Sequence, residues 1–105
     1  MTIKHTVKYT IYLGLNNKDT KKQKYDDKTS LSIASNILLN EGIECFTAIT
    51  CYGVYKHDDG VVVNETSLKI EVVDTSIKEI PNLLKYAFNQ ECVLVTKSMI
   101  EMELV

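Results

Sequence analysis

The sequence predicts an α+β fold of four strands and two helices, and three observations predict it. Stretches that alternate with period 2 and stretches with helical periodicity follow one another along the chain. Asp59-Gly60 stands between two β-rich runs and marks a hairpin. Each helical stretch carries start or stop signals of its own.

The first strand is read in "TVKYTIYLGL". Val7, Tyr9, Ile11, Leu13 and Leu15 fall on one face, and Thr6, Lys8, Thr10 and Tyr12 on the other. The next segment, "NNKDTKKQKYDDK", has no periodicity and reads as a polar loop. Asp19, Asp26 and Asp27 interrupt its lysines, so it reads as a solvated loop rather than a phosphate site. "TSLSIASNILLNEG" reads as a helix, with Leu31, Ala34, Ile37 and Leu38 on one face. Asp27, Thr29 or Ser30 is placed to cap its start, and Gly42 to take the left-handed conformation past its end.

"IECFTAITCYGVYKH" is β-branched and aromatic, the composition of a strand. "VVVNETSLKIEVVD" is its partner, with Leu68, Ile70 and Val72 inward. Two registers are open. A two-residue loop at Asp59-Gly60 pairs Cys51 with Leu68 and buries Cys45, Ile49 and Cys51. A three-residue loop from Asp58 to Gly60 pairs Thr50 with Leu68 and buries Phe46, Ala48 and Tyr52. The larger apolar group, Phe46, favours the second. A one-residue slip would exchange the two faces.

"SIKEIPNLLKYAFNQ" is the second helix. Ser76 and Glu79 are spaced as a capping box, and Pro81 is set to delay the true start. Ile77, Ile80, Leu84, Ala87 and Phe88 form its apolar face, and Asn89 suits a left-handed cap. "CVLVTKSMIEMELV" is the last strand, with Cys92 read as the start of a buried segment. It is long enough that the part after Ser98 is expected to bend away or to pair with another subunit. The order β-α-β-β-α-β is the ferredoxin-like pattern, two helices on one face of a four-stranded antiparallel sheet. At 105 residues the chain fits one such domain, residues 1–105.

Bulk properties exclude some functions. A net charge of −2 and a pI near 5.6 give no footprint for nucleic acid. No continuous apolar segment reads as a signal peptide or a membrane span, so a cytoplasmic protein is expected. Cys45, Cys51 and Cys92 lack CxxC spacing and read as buried, reduced thiols. His5 and His57 are isolated, and no metal motif or nucleotide-binding glycine motif is present, so no metal or cofactor is expected. Cys92 has an acidic neighbour in Glu91, which disfavours a reactive thiolate. No catalytic residues are assigned. The candidate binding cluster is polar: Gln90, Glu91, Glu65, Tyr12 and Tyr55, gathered at one end of the sheet. The Gln90 amide, which both donates and accepts, is the least explained by folding.

Three segments carry a resemblance: "IYLGLN", "YGVYKHDDGVVVNETSLKIEVV" and "FNQECVLV". Together they resemble a family of small bacterial domains of unknown function, often with a secretion or lipoprotein signal. The family shows an aromatic-Phe-Gly turn after the first strand, a Gly-x-aromatic hairpin with Asp-Gly and a following Glu, and a Phe-x-Gln-Glu-Ser-Val-Leu segment. The resemblance falls on Gly14, Gly53, Tyr55, Gly60, Glu65, Gln90, Glu91 and Cys92. The chain departs from it at Cys92, where the family has Ser, at Tyr55, where it often has Trp, and in lacking the signal. The resemblance implies a fold and a site but no activity.

Two helices leave one sheet face bare, and an apolar face there implies an interface. The expected protein is therefore a homo-oligomer, dimer or trimer, acting as a non-enzymatic binding or regulatory module with a small-molecule or protein partner. The rival reading is an enzyme whose pocket forms between subunits of a dimeric α+β barrel.

Overall fold

The computed structural model describes residues 2–56 and 59–105, with Tyr55 described by its backbone alone. His57 and Asp58, part of the expected hairpin loop, lie outside the described residues. The elements are β1 (Ile3–Gly14), α1 (Asp27–Asn40), β2 (Thr47–Lys56), β3 (Val62–Val73), α2 (Ile80–Ala87) and β4 (Leu94–Glu103). The sheet order is β2-β3-β1-β4, with every pairing antiparallel. This is the ferredoxin-like α+β fold.

The core lies between the helices and one sheet face. β1 contributes Ile11 and Leu13, and β3 contributes Leu68, Ile70 and Val72. α1 contributes Ala34 and Leu38, and α2 contributes Ile80 and Leu84. Fully burying one such side chain is worth about 1.5–3 kcal/mol. On β2 the register is Thr50 opposite Leu68, so Phe46 and Ala48 pack against the core. Tyr52 shares their parity but is 77% exposed, because β2 there runs past the helices.

Helix boundaries differ from the sequence reading at the caps. Asp26 caps α1, accepting from the Thr29 N–H at 2.7 Å. Leu31 is exposed and Ser30 is buried instead. Ser76 and Glu79 form no capping box: a turn precedes α2, which starts at Ile80 with Pro81 in its first turn. Ala87 is exposed rather than buried. Gly42 and Asn89 both take the expected left-handed conformation, at φ 87° and 49°.

Two strand expectations are corrected. β4 neither bends after Ser98 nor leaves the sheet, since it pairs with β1 from Leu94–Tyr12 to Glu103–Ile3. Val93, just before it, and Val95 pack against the core, while Cys92 is exposed. Cys45 is also exposed and Cys51 half-buried; all three thiols are free but not buried. The sheet is stepped. β2 and β3 pair out to Lys56–Val62, beyond the end of β1, while β1 and β4 pair down to Ile3–Glu103, beyond the end of β3. Two two-stranded arms thus project from opposite corners of a molecule 52 Å long.

Candidate functional site on the open sheet face

Alternation along β3 sends Leu68, Ile70 and Val72 to the core and Glu65, Ser67, Lys69 and Glu71 to the open face. The register sets their neighbours in rows across the sheet. Gly53 stands beside Glu65. Cys51, Ser67 and Gly14 form the next row, and Ile49, Lys69, Tyr12 and Leu94 the one after. A row of small side chains therefore lies between Glu65 and a wall of large ones.

Glu65 does not extend into solvent. Its Oε2 accepts from the backbone N–H of Asn16 at 2.9 Å, which folds the half-buried carboxylate over Gly14. A Cβ at Gly14 would stand 2.6 Å from Oε1 and 2.7 Å from Cδ and Oε2. Only glycine leaves this place to the carboxylate. Oε1 has no hydrogen-bond donor among the described residues. Gly53, by contrast, is roomy: a Cβ there would meet the Glu65 carbonyl oxygen at 3.8 Å and Ser67 Oγ at 3.9 Å.

The wall at Tyr12 is cationic. Lys69 Nζ lies 5.9 Å from the Tyr12 ring centroid. It also lies 3.8 Å from Glu71 Oε1, the same oxygen that Lys8 Nζ approaches at 3.9 Å. Both distances exceed a hydrogen bond. One carboxylate is thus shared by two ammonium groups, and the open face is not the continuous apolar surface expected from its aromatic content.

The sequence-derived cluster is only partly assembled. Gln90 and Glu65 converge on one peptide. Gln90 Nε2 donates to the Asn16 carbonyl at 2.5 Å and to the Phe88 carbonyl at 3.2 Å, while Glu65 takes the Asn16 N–H. Gln90 is buried and closes the turn from the helix side. Asn89 reinforces it, donating through Nδ2 to Asn17 Oδ1 at 3.0 Å and Asp19 Oδ2 at 2.7 Å. Tyr12 stands on the open face two rows from Glu65. Glu91 is exposed and outside this network. The side chain of Tyr55 lies outside what is described. Lys69, Ser67 and Asn16 were missed by the sequence reading. The β3 alternation carried a signal for the first two, but only the register shows what faces them.

A cavity of about 330 Å³ opens on the helix side, lined by Leu15, Asn17, Tyr25, Tyr86, Phe88 and Asn89. Among the described residues no group of three His, Cys, Asp or Glu is placed to hold a metal ion. No described helix is long and apolar enough to cross a membrane.

No family model and no curated protein matches the chain. Solved structures do. A phage SAM lyase in its apo state is 24% identical, with a TM-score of 0.71 over 90% of this chain and 81% of that one. A phage SAM lyase in complex with S-methyl-5'-thioadenosine is 21% identical, with a TM-score of 0.67 over 94% and 90%. A nitrogen regulatory PII-like protein from Thiomonas intermedia K12, bound to ADP, AMP and bicarbonate, is 15% identical, with a TM-score of 0.54 over 99% of each chain. At these identities the likeness establishes a shared fold.

Proposed function

We propose that this protein binds an adenosyl sulfonium compound on its open sheet face and cleaves S-adenosylmethionine. The observation that carries the proposal is the Glu65 carboxylate, laid against the bare Gly14 backbone with Oε1 unused, one pleat step from the Tyr12 ring. A sulfonium is a compact cation. A carboxylate attracts it by charge, and an aromatic face attracts it through the ring quadrupole. The likeness to two phage SAM lyases, one holding S-methyl-5'-thioadenosine, supports the choice of ligand. The family resemblance supports the choice of site, since its pattern includes Gly14, Gly53 and Glu65.

The chemistry asks for no acid–base group from the protein. Breaking the bond between sulfur and the amino-acid side chain sends both electrons to sulfur. The sulfonium leaves as the neutral thioether S-methyl-5'-thioadenosine. The substrate's own carboxylate closes on the freed carbon to give a lactone, and no proton need move. The protein's task is then to hold the chain folded and to exclude water. This reading takes up the rival in the sequence analysis, an enzyme with its pocket at a subunit seam.

A homo-oligomer, dimer or trimer, completes the proposal. Two-stranded arms are marginal in water on their own. Here they expose Tyr52, Val54 and Val62 at one corner and Ile3, Met99 and Leu104 at the other. A second copy seated on an arm would also shield the open face. Light scattering at micromolar concentration should give a multiple of 11.9 kDa, and a monomeric mass would refute this part.

The test of function is chromatography of wild type incubated with S-adenosylmethionine. Release of S-methyl-5'-thioadenosine above the buffer rate is expected, with Glu65→Gln lowering it by about a hundredfold. Binding without release would return the protein to the non-enzymatic module. Neither binding nor release would overturn the proposal.

A further inference from the structure

Resting on the reading just given, we infer that Lys69 is the specificity residue that receives the carboxylate of the ligand's amino-acid chain. Lys69 stands in the row beside the trough, opposite the side held by Glu65, half-buried and fixed over the Tyr12 ring. Its charge is incompletely matched. Lys8, Lys69 and Glu71 sum to one positive charge, and both lysines approach a single oxygen from beyond hydrogen-bonding distance. Among the described residues the Lys69 ammonium approaches Glu71 only from beyond hydrogen-bonding distance, so it retains N–H donors for an oxyanion.

The face is therefore polarised: the Glu65 carboxylate lies over Gly14, with Ser67 and Cys51 beside it in the same row, and the ammonium of Lys69 stands in the next row. The ligand carries a cationic sulfur and, a short alkyl chain away, a zwitterionic end whose carboxylate suits Lys69 and whose ammonium suits the neighbouring Glu71. One orientation pairs both charges. Lys8 sits further along the face, opposite Val73.

The experiment compares two neutral thioethers with the same adenosine. S-adenosylhomocysteine carries the amino-acid chain, and S-methyl-5'-thioadenosine lacks it. Calorimetry on wild type, Lys69→Gln, Lys69→Arg and Lys8→Gln gives each affinity. Lys69→Gln should weaken S-adenosylhomocysteine about tenfold or more, the worth of a charge-assisted contact. S-methyl-5'-thioadenosine should change less than about twofold on the same scale. Lys69→Arg should restore most of the loss, and Lys8→Gln, which leaves Glu71 to Lys69 alone, should weaken S-adenosylhomocysteine less than Lys69→Gln does. Equal loss of both ligands in Lys69→Gln, or no loss of either, would overturn this inference while leaving the proposed function standing. Failure of wild type to bind either compound, with S-adenosylmethionine also unbound, would overturn both.

Discussion

Replacing Gly14 by Ala should destabilise the protein through Glu65, and only through Glu65. The added methyl would stand 2.6–2.7 Å from the carboxylate atoms, closer than packed atoms allow. The carboxylate ends a flexible side chain, so it would swing away rather than force the sheet apart. Swinging away gives up the 2.9 Å hydrogen bond from the Asn16 N–H. A hydrogen bond to a charged group contributes about 1.5–3 kcal/mol, and half-exposure puts this one at about 1–2. Alanine itself favours folding by about 0.4–1 kcal/mol, because it restricts the unfolded chain and the strand backbone tolerates it. Gly14→Ala should therefore be destabilising in wild type and neutral or stabilising on a Glu65→Ala background. Urea unfolding of the four proteins in the cycle measures the difference, with unchanged m-values confirming that the unfolded state is the same. A coupling of about 1–2 kcal/mol is expected. If Gly14→Ala costs the same with and without Glu65, the carboxylate does not occupy this place and the reasoning is refuted.

Other consequences are open to direct measurement. Gln90→Ala removes donors to the Asn16 and Phe88 carbonyls and should cost about 1–2 kcal/mol, seen as a lowered Tm. Gly53→Ala meets nothing closer than 3.8 Å, so it should fold with at least wild-type stability while its methyl, beside Ser67 at the edge of the trough, weakens S-methyl-5'-thioadenosine binding in calorimetry. Hydrogen bonds from Lys4 and Thr6 hold the Asp74 carboxyl below the usual range. Its contribution is thus present above an unfolded pKa of about 3.9 and is lost as pH falls through the lower folded value. The stability gap between wild type and Asp74→Asn should be flat near neutrality and shrink below about pH 4, as pH-dependent urea unfolding would show. In native thiol labelling, the exposed Cys45 and Cys92 should react ahead of Cys51.

Fold and site were legible in the sequence to different depths. Period-2 and helical patterns gave the element order because burial of one face imposes them directly. The hairpin register also followed, since Phe46 and Ala48 could face the core only with Thr50 opposite Leu68. The caps failed where neighbouring polar residues compete. Asp26 and Asp27 are equivalent in sequence, and chain geometry chose Asp26. The cysteines failed because apolar flanks do not fix parity: Val93, just before β4, and Val95 took the core side, leaving Cys92 outside. In the site, Gln90 stood out as the polar group that folding explained least, and Glu65 belonged to the same candidate cluster. That they grip opposite ends of the Asn16 peptide is a contact across 74 and 49 residues, which no local pattern encodes. Lys69 looked like any outward lysine until the pairing set it beside Tyr12.

The central claim is that the ligand occupies the open face at Glu65. Titrating labelled protein with S-methyl-5'-thioadenosine and following backbone amide shifts tests it directly. The largest changes should fall on Gly14, Asn16, Gly53, Ser67 and Tyr12. Changes centred on Tyr25, Tyr86 and Phe88 would place the ligand in the helix-side cavity and contradict the account, as would the absence of any change.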